Sequence, residues 1–376
     1  MKKSVFGLAI FGAFNVAAHA DTSVSLYGIV DVAVRRDSDL APGKSKVAEV
    51  SGMVNTSRWG VRGTEDLGGD LKANFRLEGG ISPDTGAQSE PLSLFDRRAT
   101  VGLSGNWGRL DVGRDMTFGW EFTPVYDPLG GALATPTPTS HAPGRAALLV
   151  NGFMFVTNNP YNDAKQRDNN VKYEYTAKNG VLIGLDYSFG ETTGDPSRKS
   201  GRQAALGYMK NDINVIASFD QLRDANDRQQ RVVVVGGNFK ATSALKVTLG
   251  YAAMTADALF APTSNVVTGA IANYTTPFGV AANGKIKVAT TAAGLDYRVL
   301  PQLSLIPAVY RTRVTGDGIP GNDYNTYVLL SKYTLSKQTF LYAALDHETA
   351  TVNGGLMTVS GERTNTALTV GIQTRF

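Results

Sequence analysis

The sequence predicts an all-β protein: a 16-stranded antiparallel transmembrane β-barrel with short turns at one end and long loops at the other. Three observations predict it. Segments of about ten residues alternate apolar and polar side chains along the chain, the period of a strand dry on one face and wet on the other. After residue 20 no apolar run approaches the roughly 20 residues a spanning helix needs, and mean hydropathy is −0.13. The last residues alternate too, with Leu368, Val370 and Ile372 against Thr369, Gly371 and Gln373, and Phe376 at the end. A sheet in hydrocarbon must close, because an open edge leaves N–H and C=O groups unpaired.

The first twenty residues stand outside this pattern. Lys2 and Lys3 precede a short apolar run, and Ala18-His19-Ala20 supplies a small-x-small cleavage pattern. Residues 1–20 read as a cleaved signal peptide and residues 21–376 as one barrel domain. Removing the two leader lysines lowers the formal charge from +4 to +2. So small a charge on so long a chain argues against a nucleic-acid partner. The absence of cysteine excludes disulfides, a thiolate nucleophile and a cysteine-ligated metal.

In chain order, the first strand covers 23–34, with Val24, Leu26, Gly28, Val30 and Val32 opposite Ser25, Tyr27, Ile29 and Asp31. The second, 57–64, sets Trp59 and Val61 against Arg58 and Arg62. A Gly68-Gly69 turn leads to the third, where Leu71, Ala73, Phe75 and Leu77 alternate with Lys72, Asn74, Arg76 and Glu78. The fourth and fifth flank Gly105-Asn106-Trp107-Gly108. The sixth and seventh, 171–175 and 181–189, meet through Asn179-Gly180, a strong hairpin signal. Then come 203–210 with 213–219, 231–239 with 245–252, 287–299 with 303–313, 325–333 with 339–347, and the closing strand 365–376. An even count suits a bacterial single-chain barrel, and this size leaves room for water inside. Tyr187, Tyr297 and Tyr333, near strand ends, suit the membrane interface.

Several stretches resemble the general, non-specific outer-membrane porins of Gram-negative bacteria, of the beta-proteobacterial type. They are Val24-Ser25-Leu26-Tyr27-Gly28, Ser57-Arg58-Trp59-Gly60-Val61-Arg62-Gly63 with Glu65-Asp66-Leu67-Gly68-Gly69, Val101-Gly102-Leu103-Ser104-Gly105, and the closing Gly371-Ile372-Gln373-Thr374-Arg375-Phe376. The resemblance spans the mature chain and is weakest in the loops. It implies short periplasmic turns, long extracellular loops and a third loop folded into the lumen. It further implies a homotrimer among outer-membrane lipid and lipopolysaccharide, and passive diffusion of ions and small hydrophilic solutes.

The selectivity of such a pore resides in the field and width at its narrowest point. The longest irregular stretch runs from about 115 to 170, and the resemblance makes it the constriction loop. It carries Glu121, Asp127, Arg145, Asp163, Lys165, Arg167 and Asp168. The inward phase of the neighbouring strands carries Arg58, Arg62, Arg76, Glu78 and Arg98. Arginine stays protonated and keeps several donors aimed at passing anions or at loop carboxylates. By the resemblance Arg58 and Arg98 match wall arginines and Glu78 an acidic partner. The expected selectivity set is therefore Arg58, Arg62, Arg76, Glu78, Arg98, Glu121 and Asp127, with a weak preference for anions.

The sequence shows no catalytic pattern: His141 and His347 are the histidines left after leader removal, each isolated. No cofactor motif is present, and the Asn/Asp-rich stretch 158–170 lacks the ligand spacing of an EF-hand, so no metal is expected. The alternative reading is a substrate-specific channel for small anionic or sugar solutes, consistent with inward-facing Tyr27 and Tyr310. Saturable rather than linear flux would distinguish it.

Overall fold

A computed structural model describes residues 22–41, 44–89, 93–133, 165–257, 260, 284–317, 319–353 and 361–376. The expected leader, His141, Arg145 and Asp163 lie outside the described residues.

In chain order the strands are β1 (Ser23–Ala41), β2 (Lys44–Ser51), β3 (Arg58–Gly68), β4 (Leu71–Ser82), β5 (Ala87–Gln88), β6 (Arg98–Gly105), β7 (Gly108–Met116), β8 (Gln166–Thr176) and β9 (Val181–Ser188). There follow β10 (Gly201–Lys210), β11 (Ile213–Arg223), β12 (Gln229–Lys240), β13 (Leu245–Asp257), β14 (Lys285–Leu300), β15 (Leu303–Gly316), β16 (Ile319–Thr334), β17 (Thr339–Val352) and β18 (Gly361–Arg375). Two single-turn helices, α1 (Phe118–Glu121) and α2 (Thr123–Tyr126), lie between β7 and β8. Each strand pairs antiparallel with its neighbours, and β18 returns to β1, with Ile29 opposite Arg375 and Asp37 opposite Ala367.

The barrel has 16 strands although 18 strand segments occur. β5 is a two-residue hairpin arm on β4. β2 and β3 both pair with β1 and together make one interrupted stave. The interruption has a cause. Asp31 accepts the N–H groups of Val54 (3.3 Å) and Asn55 (3.0 Å), and Ser57 Oγ accepts the N–H of Asp31 (2.9 Å). The chain at 52–57 is thereby drawn inward, Gly52 supplying a positive φ of 70°, and Met53 and Val54 become buried.

Alternation along the strands is as expected on the outside: Val24, Leu26, Val309, Leu345, Leu368 and Val370 are exposed to lipid. On the inside it is only half as expected. Inward Ile216, Val232, Val234, Ala252, Met254, Val288 and Leu330 are apolar and buried. They form one cluster with Phe118, Tyr126, Leu129, Ala132 and Leu133 of the third loop. The loop crosses the lumen and dries that wall; each large side chain so buried contributes roughly 1.5–3 kcal/mol. Space for it is built into the strand: a Cβ on Gly294 would lie 2.5 Å from Pro128.

Candidate functional site: the lumen constriction

The wall facing the dry side is polar, and its register follows from the alternation. Tyr27, Gly60, Glu78 and Arg98 stand in one row across β1, β3, β4 and β6. Arg62 and Arg76 face each other one inward position away. The Tyr27 ring crosses Gly60, where a Cβ would meet the phenol at 2.8 Å. Its hydroxyl donates to Glu78 Oε2 (2.9 Å) and accepts from Arg76 Nε (2.8 Å). The guanidiniums of Arg62 and Arg76 sit 5.2 and 5.4 Å from the ring centroid, which helps two like charges share one patch.

Glu78 is fully buried, and three arginines converge on it: Arg97 at 2.7 Å, Arg76 at 2.9 Å and Arg58 at 3.8 Å. With exposed Arg62 nearby, four guanidiniums stand against two carboxylates, Glu78 and Asp96, the latter occupied by the Gly80 N–H. Arg58 and Arg76 keep 23% and 29% of their side chains exposed, so they face water as well as Glu78.

A second group lies at the root of the third loop. Arg98 bridges Asp115 (2.8 Å) and Glu121 (2.9 Å). Lys172 pairs with Glu121 and lies 3.6 Å from Asp115. Two cations and two anions cancel there. Burial pushes the Glu121 carboxyl up, but Lys172 and Arg98 outweigh it and hold it well below the usual carboxylate range. Thr117 caps α1 by accepting the Trp120 N–H, so the group fixes where the loop leaves the wall.

Lys165 closes the loop's return. Its Nζ lies 4.5 Å from the Trp120 ring centroid. Burial, then the charges of Arg97 and Arg58, lower its pKa to about 7, against the pull of Asp96 and Glu78.

The structure thus brings Arg58, Arg62, Arg76 and Glu78 together and sets Arg98 with Glu121 beside them. Asp127 is elsewhere. It is 2% exposed, accepts the N–H groups of Leu129 (3.1 Å) and Gly131 (2.7 Å), and receives the Tyr310 hydroxyl from β15. It ties the loop to the opposite wall and presents no charge to the water path. Sequence reasoning passed over Arg97, which precedes β6 and so has no strand phase. It noted Lys165 in the loop without giving it a role, and Lys172 was not singled out although Glu121 was its visible counter-charge. Among the described residues no group of His, Asp and Glu is arranged to hold a metal ion.

A closed antiparallel barrel whose lumen is narrowed by an inserted loop and lined with charge is an aqueous transmembrane channel. The Gram-negative porin family model matches residues 7–353, and the chain belongs to that family. An outer membrane porin protein of Bordetella pertussis is 32% identical over 287 residues, covering 68% of this chain and 70% of the relative. Outer membrane porin protein 32 of Delftia acidovorans is 49% identical over 116 residues, 31% of this chain and 32% of the relative. Among solved structures, an anion-selective porin from Comamonas acidovorans aligns with a TM-score of 0.71 at 23% identity, over 95% of this chain and 100% of that one. A trimer form of OmpT from Vibrio cholerae aligns with a TM-score of 0.65 at 16% identity, over 94% and 99%. The chain is a multi-pass outer-membrane protein, and its family and fold are those of a channel rather than an enzyme.

Proposed function

We propose that this porin conducts ions and small hydrophilic solutes by passive diffusion and prefers anions. The observation that carries the reading is the convergence of Arg58, Arg76 and Arg97 on the single carboxylate of Glu78, with Arg62 alongside. Arg58, Arg62 and Arg76 set the field at the narrowing, and Lys165 adds to it when protonated. Arg98 and Glu121 hold the loop root, and Asp127 anchors its far end. The anion selectivity of the Comamonas porin agrees with this sign.

The working unit is a homotrimer, a reading supported by the family resemblance and by the trimer form of the Vibrio relative. Maturation removes residues 1–20, supported by the Ala18-His19-Ala20 pattern; N-terminal sequencing of the outer-membrane form should begin at Asp21. Planar-bilayer recording in a salt gradient tests the central reading. A zero-current potential of anionic sign supports it; a cationic sign overturns it. Solute flux into liposomes should stay linear with concentration, and saturation would instead favour a substrate-specific channel.

A further inference from the structure

Toward the short turns, the wall from β13 to β18 carries a second set of inward cations, away from the arginines of β3 and β4. Arg298, Ser304, Lys332 and Tyr342 stand in one row across β14 to β17. Lys332 shares the inward phase of buried Leu330 and Val328, and Arg375 that of buried Gln373 and Thr369. Ser304 is short, so Arg298 and Lys332 face each other over it, their backbones two strand spacings, roughly 10 Å, apart.

An aromatic ring lies among these charges. Phe340 is the next inward residue of β17 from Tyr342 toward the turn, and it is half-buried. The Lys332 Nζ is 5.7 Å from its ring centroid, within cation–π range. Phe340 stands opposite Gln373, and Arg375 is the next inward residue beyond Gln373. The ring therefore has Lys332 diagonally on one side and Arg375 diagonally on the other.

The charge here does not cancel. Five cations gather: Lys246, Arg298, Lys332, Arg375 and, in the β16–β17 turn, Lys337. The acids nearby are Asp296, Asp31 and the terminal carboxylate of Phe376. Asp296 lies 3.9 Å from Lys246. Asp31 is fully buried and accepts the Tyr342 hydroxyl (2.7 Å) and the N–H groups of Val54 and Asn55. At the edge Lys240 and Asp212, joined through the backbone, offset each other. Among the described residues Arg298, Lys332 and Arg375 make no ion pair.

Free cations alone would serve any anion. The ring adds apolar surface at a place where a wet wall has no need of it. An anion with a planar apolar body can set its carboxylate on Lys332 and Arg298 and its ring against Phe340, so that ion contact and ring contact add. We infer that this vestibule is a second binding station, selective for small aromatic carboxylates. It rests on the reading of the chain as an anion-preferring diffusion pore. Ion contacts this exposed are weak, so the solute dwells briefly and its flux stays linear over ordinary concentrations.

The test is single-channel recording of the full-length porin in planar bilayers conducting chloride, with benzoate and acetate as probes. Benzoate should interrupt the current at lower concentration than acetate. Arg298→Gln/Lys332→Met should raise the half-blocking benzoate concentration about tenfold, roughly threefold for each exposed ion contact. Phe340→Leu keeps the charges and should raise it about threefold while leaving acetate unmoved. None of these residues belongs to the narrowing, and retained heat-resistant gel mobility would show that the variants are folded. Unchanged benzoate block in either variant would overturn the inference, as would acetate blocking as well as benzoate. Block lost in Arg58→Gln/Arg76→Gln but kept in Arg298→Gln/Lys332→Met would place the binding at the narrowing and overturn it as well. A zero-current potential of cationic sign would defeat the anion preference alone; benzoate block that still depended on Lys332 and Phe340 would then leave this site standing.

Discussion

Neutralising Arg58 and Arg76 together should remove most of the anion preference. In Arg58→Gln/Arg76→Gln, Glu78 keeps Arg97 at 2.7 Å, so the buried carboxylate is not left bare. An ion passing about 6 Å from a unit charge in water feels roughly 0.7 kcal/mol. At 0.1 M salt, with a Debye length of about 10 Å, screening leaves ~0.4 kcal/mol. That changes anion passage about twofold and cation passage about twofold the other way, hence about fourfold in permeability ratio per charge and on the order of 15-fold for two. The assay is the zero-current potential of single channels in a salt gradient. Arg231→Gln, on the exposed face of β12, is the control and should leave it unchanged. An unmoved potential in the double variant, or a shift toward anions, would refute the assignment of the field to this wall.

Lys165 predicts a pH dependence. With its pKa lowered to about 7 it is charged below that pH and neutral above it. Anion preference should therefore be greatest in acid and fall as pH rises through about 7; Lys165→Met should abolish this step. Tyr310→Phe removes the hydroxyl that donates to Asp127, at a cost of about 1–2 kcal/mol in loop anchoring. Open-channel noise should rise while the zero-current potential stays put. Arg35, 1% exposed, is shared by Asp37 at 3.0 Å and Asp346 at 2.7 Å, with buried Glu348 beside them. Arg35→Met should cost about 3–5 kcal/mol by stranding buried carboxylates. The heat-induced gel shift of the folded barrel should move to lower temperature, and Arg35→Met/Asp346→Leu should recover part of the loss.

The strand framework was legible because its signal is local. A two-residue period that repeats sixteen times needs no knowledge of what the strands face. The dry inner wall was not legible in the same way, because alternation cannot tell lipid from a lumen covered by a loop. One trace was visible: Val232-Val233-Val234-Val235 is apolar on both faces, and in the structure Val232 and Val234 are buried under the loop while Val233 and Val235 face lipid. The wall arginines were legible where a strand gave them phase, as for Arg58, Arg62 and Arg76. Arg97 has no phase, and the position of Asp127 depends on a tyrosine 183 residues away. The 44–51 strand escaped notice because its short, polar run has no distinct apolar face.

Why a nearly neutral chain should carry a positive constriction follows from what each charge type can bind. A carboxylate accepts backbone N–H groups, and the irregular segments inside this barrel expose many. Asp31 accepts those of Val54 and Asn55, Asp127 those of Leu129 and Gly131, and Asp96 that of Gly80. The donor dipoles turned toward each carboxylate offset its field at a distance. A guanidinium cannot accept an N–H, so it cannot satisfy these donors. The wall arginines donate instead to oxygens: Arg58 to the Thr56 carbonyl at 2.9 Å, and Arg58, Arg76 and Arg97 share Glu78. Folding an inserted loop into a barrel thus draws acids into backbone work and leaves cations facing the path. The sign of the pore is then set by how the loop is held, and acids added at turn-capping positions should alter it far less than one acid added beside Arg62.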